Sequence, residues 1–174
     1  MTRSTESMTI RVVKAHAALT DLAALAARVI GTDTRYISHG EIQTGLSEDA
    51  THWSPHLAAL FADDFAAIDD DRLVLAAYDP DDRPLGFAII AWEQSSRRRF
   101  AVLEDMVVEP AARSLGIGAA LLAAVEQRVA ERGIDWVFLE SGVRNERAHG
   151  FFERSGFATI SHVFAKRLAP PAGD

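Results

Sequence analysis

Two adjacent carboxylates, Glu104-Asp105, and a glycine turn that follows them, Arg113-Ser114-Leu115-Gly116-Ile117-Gly118, are the parts of this chain best equipped for chemistry. The turn lies between an apolar run ending at Val108 and an Ala/Leu-rich helical run from Ala119. A tight turn that opens a helix presents free backbone N–H groups and the positive end of the helix dipole, which together suit a pyrophosphate. Gly116 and Gly118 lack a Cβ, so the backbone can approach phosphate oxygens closely, and Ser114, Leu115 and Ile117 would contribute amides rather than side chains. Arg113 either adds a charge-assisted contact there or covers a strand end. A carboxylate near a bound phosphate ester can take a proton from an attacking nucleophile. Each of the two carboxylates has an alternative use, a salt bridge to one of the arginines.

The strand before the turn must aim those carboxylates. Its apolar positions are Val102, Leu103, Met106, Val107 and Val108. From Leu103 the core-facing positions fall at Met106 and Val108, a spacing of three and then two, which is the frame shift of a β-bulge. Successive strand residues point to opposite faces unless a bulge reorients one, so only one carboxylate is expected to meet a given partner directly. Further on, Asn145 is placed to cap a helix on which Ala148, Phe151 and Phe152 share one face, while His149 falls on the other and is expected to be exposed.

These segments read Leu103-Glu104-Asp105-Met106-Val107-Val108, the glycine turn, and Asn145 to Phe157 with Ala148, Phe151, Phe152, Glu153 and Gly156. In this order they resemble the three linked motifs of the GCN5-related N-acetyltransferase (GNAT) superfamily, "xEDxVV", "RxxGxG" and "NxxAxxFYExxGF". The resemblance implies an α/β fold with a mixed, mostly antiparallel sheet of about six or seven strands flanked by about four helices. It implies acetyl-CoA as co-substrate, with no metal, and transfer of an acetyl group to a primary amine by direct attack in a ternary complex. The backbone amides of Met106, Val107 and Val108 would meet the pantetheine arm and thioester, Arg113 to Ala119 the pyrophosphate, and Asn145, Ala148, Phe151 and Phe152 the rest of the cofactor arm. Glu104 is the first choice of base and Asp105 the second. Phe152 stands where the family has a tyrosine, and a phenyl ring has no proton to give. Either protonation of the departing thiolate is dispensable, or another donor serves; Tyr36, in a segment that also carries His39 and Glu41, is the substitute the sequence offers. The missing tyrosine also keeps open a non-catalytic acyl-CoA-binding or sensing domain, and a protein amine remains an alternative acceptor. No motif identifies the amine, and dimers are frequent among similar proteins, which leaves a homodimer open.

Composition sets outer bounds. The chain has 174 residues, nearly half of them apolar, enough for one compact domain. Zero cysteines exclude a disulfide framework, a thiolate metal site and an acyl-cysteine relay. A net charge of −7 argues against a nucleic-acid surface and mildly favours cationic substrates. No apolar run approaches the roughly 18 to 20 residues of a membrane span, and Met1 to Ser7 lack a signal-peptide core, so no membrane partner and a cytoplasmic location are expected. A nucleotide P-loop is disfavoured because no Gly-Lys-Ser/Thr ending follows the glycines.

Reading along the chain, residues 1–8 are expected to be a flexible N-terminus, 9–169 a single domain and 170–174 a tail. A strand is expected over 9–14, then a helix capped by Thr20 or Asp21 and running to Ile30, with Gly31 stopping it. Residues 32–51 read as a long loop with a short helical piece, the acceptor-side candidate. Ser54-Pro55 opens a helix to Ile68, and Asp69-Asp70-Asp71 a solvated turn. Strands follow over 73–78 and 85–93, a hairpin turn at Arg97-Arg98-Arg99, a strand to Glu109, a helix to Arg132 closed by Gly133, a strand over 134–140, a helix over 145–155, and one or two strands over 157–168. Pro170-Pro171 would close the fold.

Overall fold

Alternation in the strands sorts the core into two layers, one on each face of a single sheet. The computed structural model describes residues 8–168. Five strands, β1 (Thr9–Val13), β2 (Arg72–Tyr78), β3 (Pro84–Gln94), β4 (Arg99–Val108) and β5 (Val137–Leu139), lie side by side in chain order. The first four are antiparallel neighbours. β5 joins β4 in parallel, which requires a crossover, and helix α4 (Ile117–Glu131) supplies it. On one face Val74, Ala76, Phe87, Ile89 and Val107 pack under helices α1 (His16–Ile30) and α3 (Leu57–Ala66). On the other, Leu75, Ala77, Ala88, Ile90, Ala101 and Leu103 pack under the Leu121, Leu122, Val125 and Val129 stripe of α4. Phe151 and Phe152 of helix α5 (Glu146–Arg154) extend that second layer. Fully buried side chains such as Leu22, Phe87 and Leu121 each stabilise the fold by about 1.5–3 kcal/mol.

The mixed α/β architecture agrees with expectation, and several details correct it. The sheet has five strands among the described residues, not six or seven, and five α-helices rather than four. Residues 157–168 form no strand: Ile160, Val163, Phe164 and Leu168 are exposed. Their pattern suits a strand, but they pair with none of the five strands. Helix α1 starts at His16, upstream of the expected Thr20 or Asp21 cap, because the alanines there are strong helix formers; the Thr20 hydroxyl donates back to the His16 carbonyl at 3.0 Å inside the helix. The expected helix opened by Ser54-Pro55 begins at Leu57, with residues 54–56 forming a turn. The buried strand expected over 134–140 shrinks to a half-buried β5. The hairpin at Arg97 to Arg99 is present, closed by Ser95. Residues 32–51 contain a 3-10 turn at Thr34–Tyr36 and a short helix α2 (His39–Thr44). The expectations for residues 1–7 and for Pro170-Pro171 lie outside the described residues. Among the described residues no helix is long and apolar enough to cross a membrane.

Two features of β4 prepare the site. Asp105 pairs with Ile89 and Leu103 with Ile90, so Glu104 is the extra residue of a bulge. Leu103, Met106 and Val108 therefore share the α4 face, at the spacing of three and two read from the sequence. β5 pairs only with Ala101, Val102 and Leu103, so from Glu104 to Val108 the edge of β4 facing β5 carries no strand among the described residues.

Candidate active site

The glycine turn opens α4 as expected. Ser114 (φ 66°) and Gly116 (φ 80°) adopt the left-handed conformation, and no side chain caps the helix, so its first-turn amides await an external acceptor. These amides border a cavity of about 380 Å³ lined by Met106, Val108, Arg113, Ser114, Gly116, Gly118, Ala119, Asn145, Ala148, Phe151 and Phe152. Most of the cofactor-side residues read from the sequence thus meet around one hollow. The exceptions turn their side chains elsewhere: Val107 and Ile117 are buried in the core and Leu115 is exposed, which leaves only their amides for a ligand. Gly118 lies between Met106 and Phe151, and a Cβ there would make ordinary contact with both at 3.5 Å. Asn145 caps α5 by accepting from the Ala148 amide at 3.4 Å.

Arg113 commits its side chain within the protein. Its Nε donates to the Val108 carbonyl at 3.3 Å and a terminal nitrogen to the Tyr36 hydroxyl at 3.2 Å. Arg113 itself lines the larger cavity, and so do two arginines the sequence reading missed, Arg147 and Arg154, which have no carboxylate partner among the described residues. Their spacing of two helical turns on α5 puts them on one face, a signal that could have found them. Arg35 lines the same cavity but is held by Asp33 at 2.7 Å.

A smaller cavity of about 70 Å³ adjoins the first, and Tyr36, Met106, Asn145, Ala148 and Phe152 line both. Glu104 and Asp105 both face the smaller cavity, which the bulge makes possible. They differ in state. Glu104 accepts from the Arg72 Nε at 2.8 Å. Asp105 has no hydrogen-bond or ion-pair partner among the described residues, and although the residue as a whole is partly exposed, its carboxyl sits among densely packed atoms. Burial, and then the charges of Glu41, Glu104 and Asp64, push its pKa up to about 7.

The far wall is a fastened loop. The Ser38 hydroxyl and amide both donate to Glu41 at 2.7 Å, completing the capping box of α2. His39 Nδ1 lies 3.0 Å from Glu140, and Arg144 donates to the carbonyls of Thr34 (3.0 Å) and Ala50 (2.8 Å). His149, expected to be exposed, is half-buried: its Nε2–H donates to the Gly142 carbonyl at 3.0 Å and steadies the turn before α5.

This arrangement of turn, bulge and capped helix lies within residues 41–157, which match the family described as "Acetyltransferase (GNAT) family". The chain belongs to that family. No curated protein matches the sequence. Among solved structures, an aminoglycoside acetyltransferase from an uncultured soil metagenomic sample, in complex with trehalose, is 18% identical, with a TM-score of 0.66 over 95% of this chain and 98% of that one. An aminoglycoside N-acetyltransferase in complex with CoA is 19% identical, with a TM-score of 0.68 over 92% and 94% of the two chains. An acetyltransferase from Trypanosoma brucei is 22% identical, with a TM-score of 0.62 over 92% and 99%. At these identities the likeness is one of fold. In this GNAT domain Phe152 lines both cavities.

Proposed function

We propose that this acetyltransferase moves the acetyl group of acetyl-CoA to a primary amine of a small acceptor by direct attack in a ternary complex. The observation that carries this reading is the meeting of the two cavities: one is bordered by uncapped helix amides and free arginines, the other by carboxylates, and they share the wall formed by Tyr36, Met106, Asn145, Ala148 and Phe152. The first suits CoA. Ser114 and Gly116, both in left-handed backbone, line this hollow in the way a phosphate-binding turn does, and Arg113, Arg147 and Arg154 supply charge beside it. The strandless edge of β4 from Glu104 to Val108 suits the amide-bearing pantetheine arm.

The co-substrate supplies an activated thioester carbonyl. Asp105 is the base, a reversal of the order read from the sequence, because Glu104 is engaged by Arg72 while Asp105 is unpartnered and titrates near neutrality. As the N–C bond forms and the C–S bond breaks, the nitrogen's proton passes to the Asp105 carboxylate and the sulfur takes one from a nearby donor. Tyr36 is that donor: its oxygen accepts from Arg113, which leaves its own proton free, and it borders both cavities. Tyr36→Phe is expected to lower kcat about tenfold or more. An unchanged kcat means that the thiolate, from a thiol of pKa about 8.5, leaves unassisted.

The reading is tested by release of free thiol from acetyl-CoA across a panel of amines. Amine-dependent release above hydrolysis supports it; none with any amine refutes it. Calorimetry tests the cofactor half separately. Gly116→Val forces a β-branched residue to φ 80°, where strain rather than a clash is the obstacle, since a Cβ there meets open space. CoA affinity is expected to fall about tenfold or more, and full affinity would contradict the assignment of the turn.

A further inference from the structure

We infer that the acceptor carries a second cationic group besides the amine it offers, so that diamines and polyamine-like molecules are its substrate class and amines bearing a carboxylate are not. This rests on the transfer reading above and adds to it the charge of the smaller cavity. Four carboxylates, Glu41, Glu104, Asp105 and Glu140, line that cavity, and no Lys, Arg or His does. Only Glu104 is answered by a guanidinium, that of Arg72. Glu41 and Glu140 converge on one hydroxyl, each with an oxygen within hydrogen-bonding reach of Ser38 Oγ, at 2.7 and 3.3 Å. Glu41 also accepts from the Ser38 amide at 2.7 Å and Glu140 lies 3.0 Å from His39 Nδ1, but neither has a Lys or Arg partner among the described residues. Independently, Asp105 projects into the same cavity with no partner at all among the described residues. The inner carboxylate thus receives the reacting amine, and the Glu41–Glu140 pair has charge left for a second cation.

The cavity's size limits what enters. About 70 Å³ admits several waters and so a linear aminoalkyl arm, but not a bulky ring. A carboxylate-bearing amine would place like charge beside Glu41 and Glu140.

The experiment compares kcat/KM for diaminobutane, butylamine and aminobutyrate at saturating acetyl-CoA. Diaminobutane is expected to exceed butylamine by about 10- to 100-fold, the worth of a charge-assisted hydrogen bond, with aminobutyrate below both. Equal values for the diamine and the monoamine, or a higher value for aminobutyrate, would overturn the inference while leaving the transfer reading intact. Absence of turnover with every amine, combined with tighter calorimetric binding of diaminobutane than butylamine to the CoA-loaded protein, would refute transfer and keep the charge assignment. Glu140→Gln should collapse the diamine-to-monoamine ratio toward one. Because Glu140 also holds His39, the wild-type protein gives a second readout. Added salt should depress the diamine's kcat/KM more steeply than the monoamine's, and equal slopes would overturn the inference.

Discussion

Asp105→Asn is expected to lower kcat by roughly two to four orders of magnitude, with CoA affinity little changed, because a base acts in the transition state and not in cofactor binding. The substitution keeps the shape of the side chain and removes its basicity. In the wild-type protein, activity should rise as pH increases through about 7, as the buried carboxyl of Asp105 loses its proton; in the variant that step should disappear. Stability should move the other way. The folded protein holds the Asp105 proton up to about 7, whereas an unfolded aspartate releases it near 3.8, so stability falls as pH rises between those values. Asp105→Asn should therefore be more stable than the wild type at pH 8, and the gain should vanish in acid. Denaturation midpoints at several pH values, set beside the pH–rate profile, check both halves. Glu104→Gln serves as the contrast. Its loss breaks an ion pair with Arg72 whose side chains are 30% and 40% exposed, worth less than ~1 kcal/mol, and most activity should survive. The opposite ranking of the two variants would return the base to Glu104.

Gly142→Ala should disable the site from the other side. A Cβ at Gly142 would overlap the Arg35 carbonyl oxygen and lie 2.6 Å from that of Ile37, both of them backbone atoms that cannot swing aside. The segment carrying Tyr36 would have to retreat from the turn before α5. A loss of about 3 kcal/mol is expected, visible as a fall in Tm of roughly 6–12 °C. Turnover should fall about tenfold, as for Tyr36→Phe, even at temperatures where the variant stays folded, because the proton donor is drawn away from the site. Wild-type turnover in a folded Gly142→Ala protein would show that the distance from Tyr36 to the turn does not matter.

The sequence was informative where chemistry depends on neighbours along the chain. The bulge followed from the spacing of Leu103, Met106 and Val108, the phosphate-type turn from Gly116 and Gly118 before a helix, and the cap of α5 from Asn145. It was silent where partners come from distant segments. Nothing local distinguishes Glu104 from Asp105; the difference is Arg72, two strands away in the sheet, which takes the first and leaves the second. Nor does anything local foretell that Arg113 donates to the Val108 carbonyl and to the Tyr36 hydroxyl, which comes from a segment 77 residues away. Residues 157–168 have strand-like composition, yet a strand exists only as half of a pair, and composition does not provide the other half.

The extra residue in β4 inverts the phase of the strand. Up to Leu103 the odd positions face α4; from Met106 onward the even ones do. A strict strand of the same composition would send Asp105 toward Leu121 and Val125, where an ionised carboxyl finds neither water nor amine, and would swing Met106 to the opposite wall. The proposed base therefore owes its position to a single uncounted beat, and chains of this kind are best compared by tallying residues through the bulge rather than ladder pairs beside it.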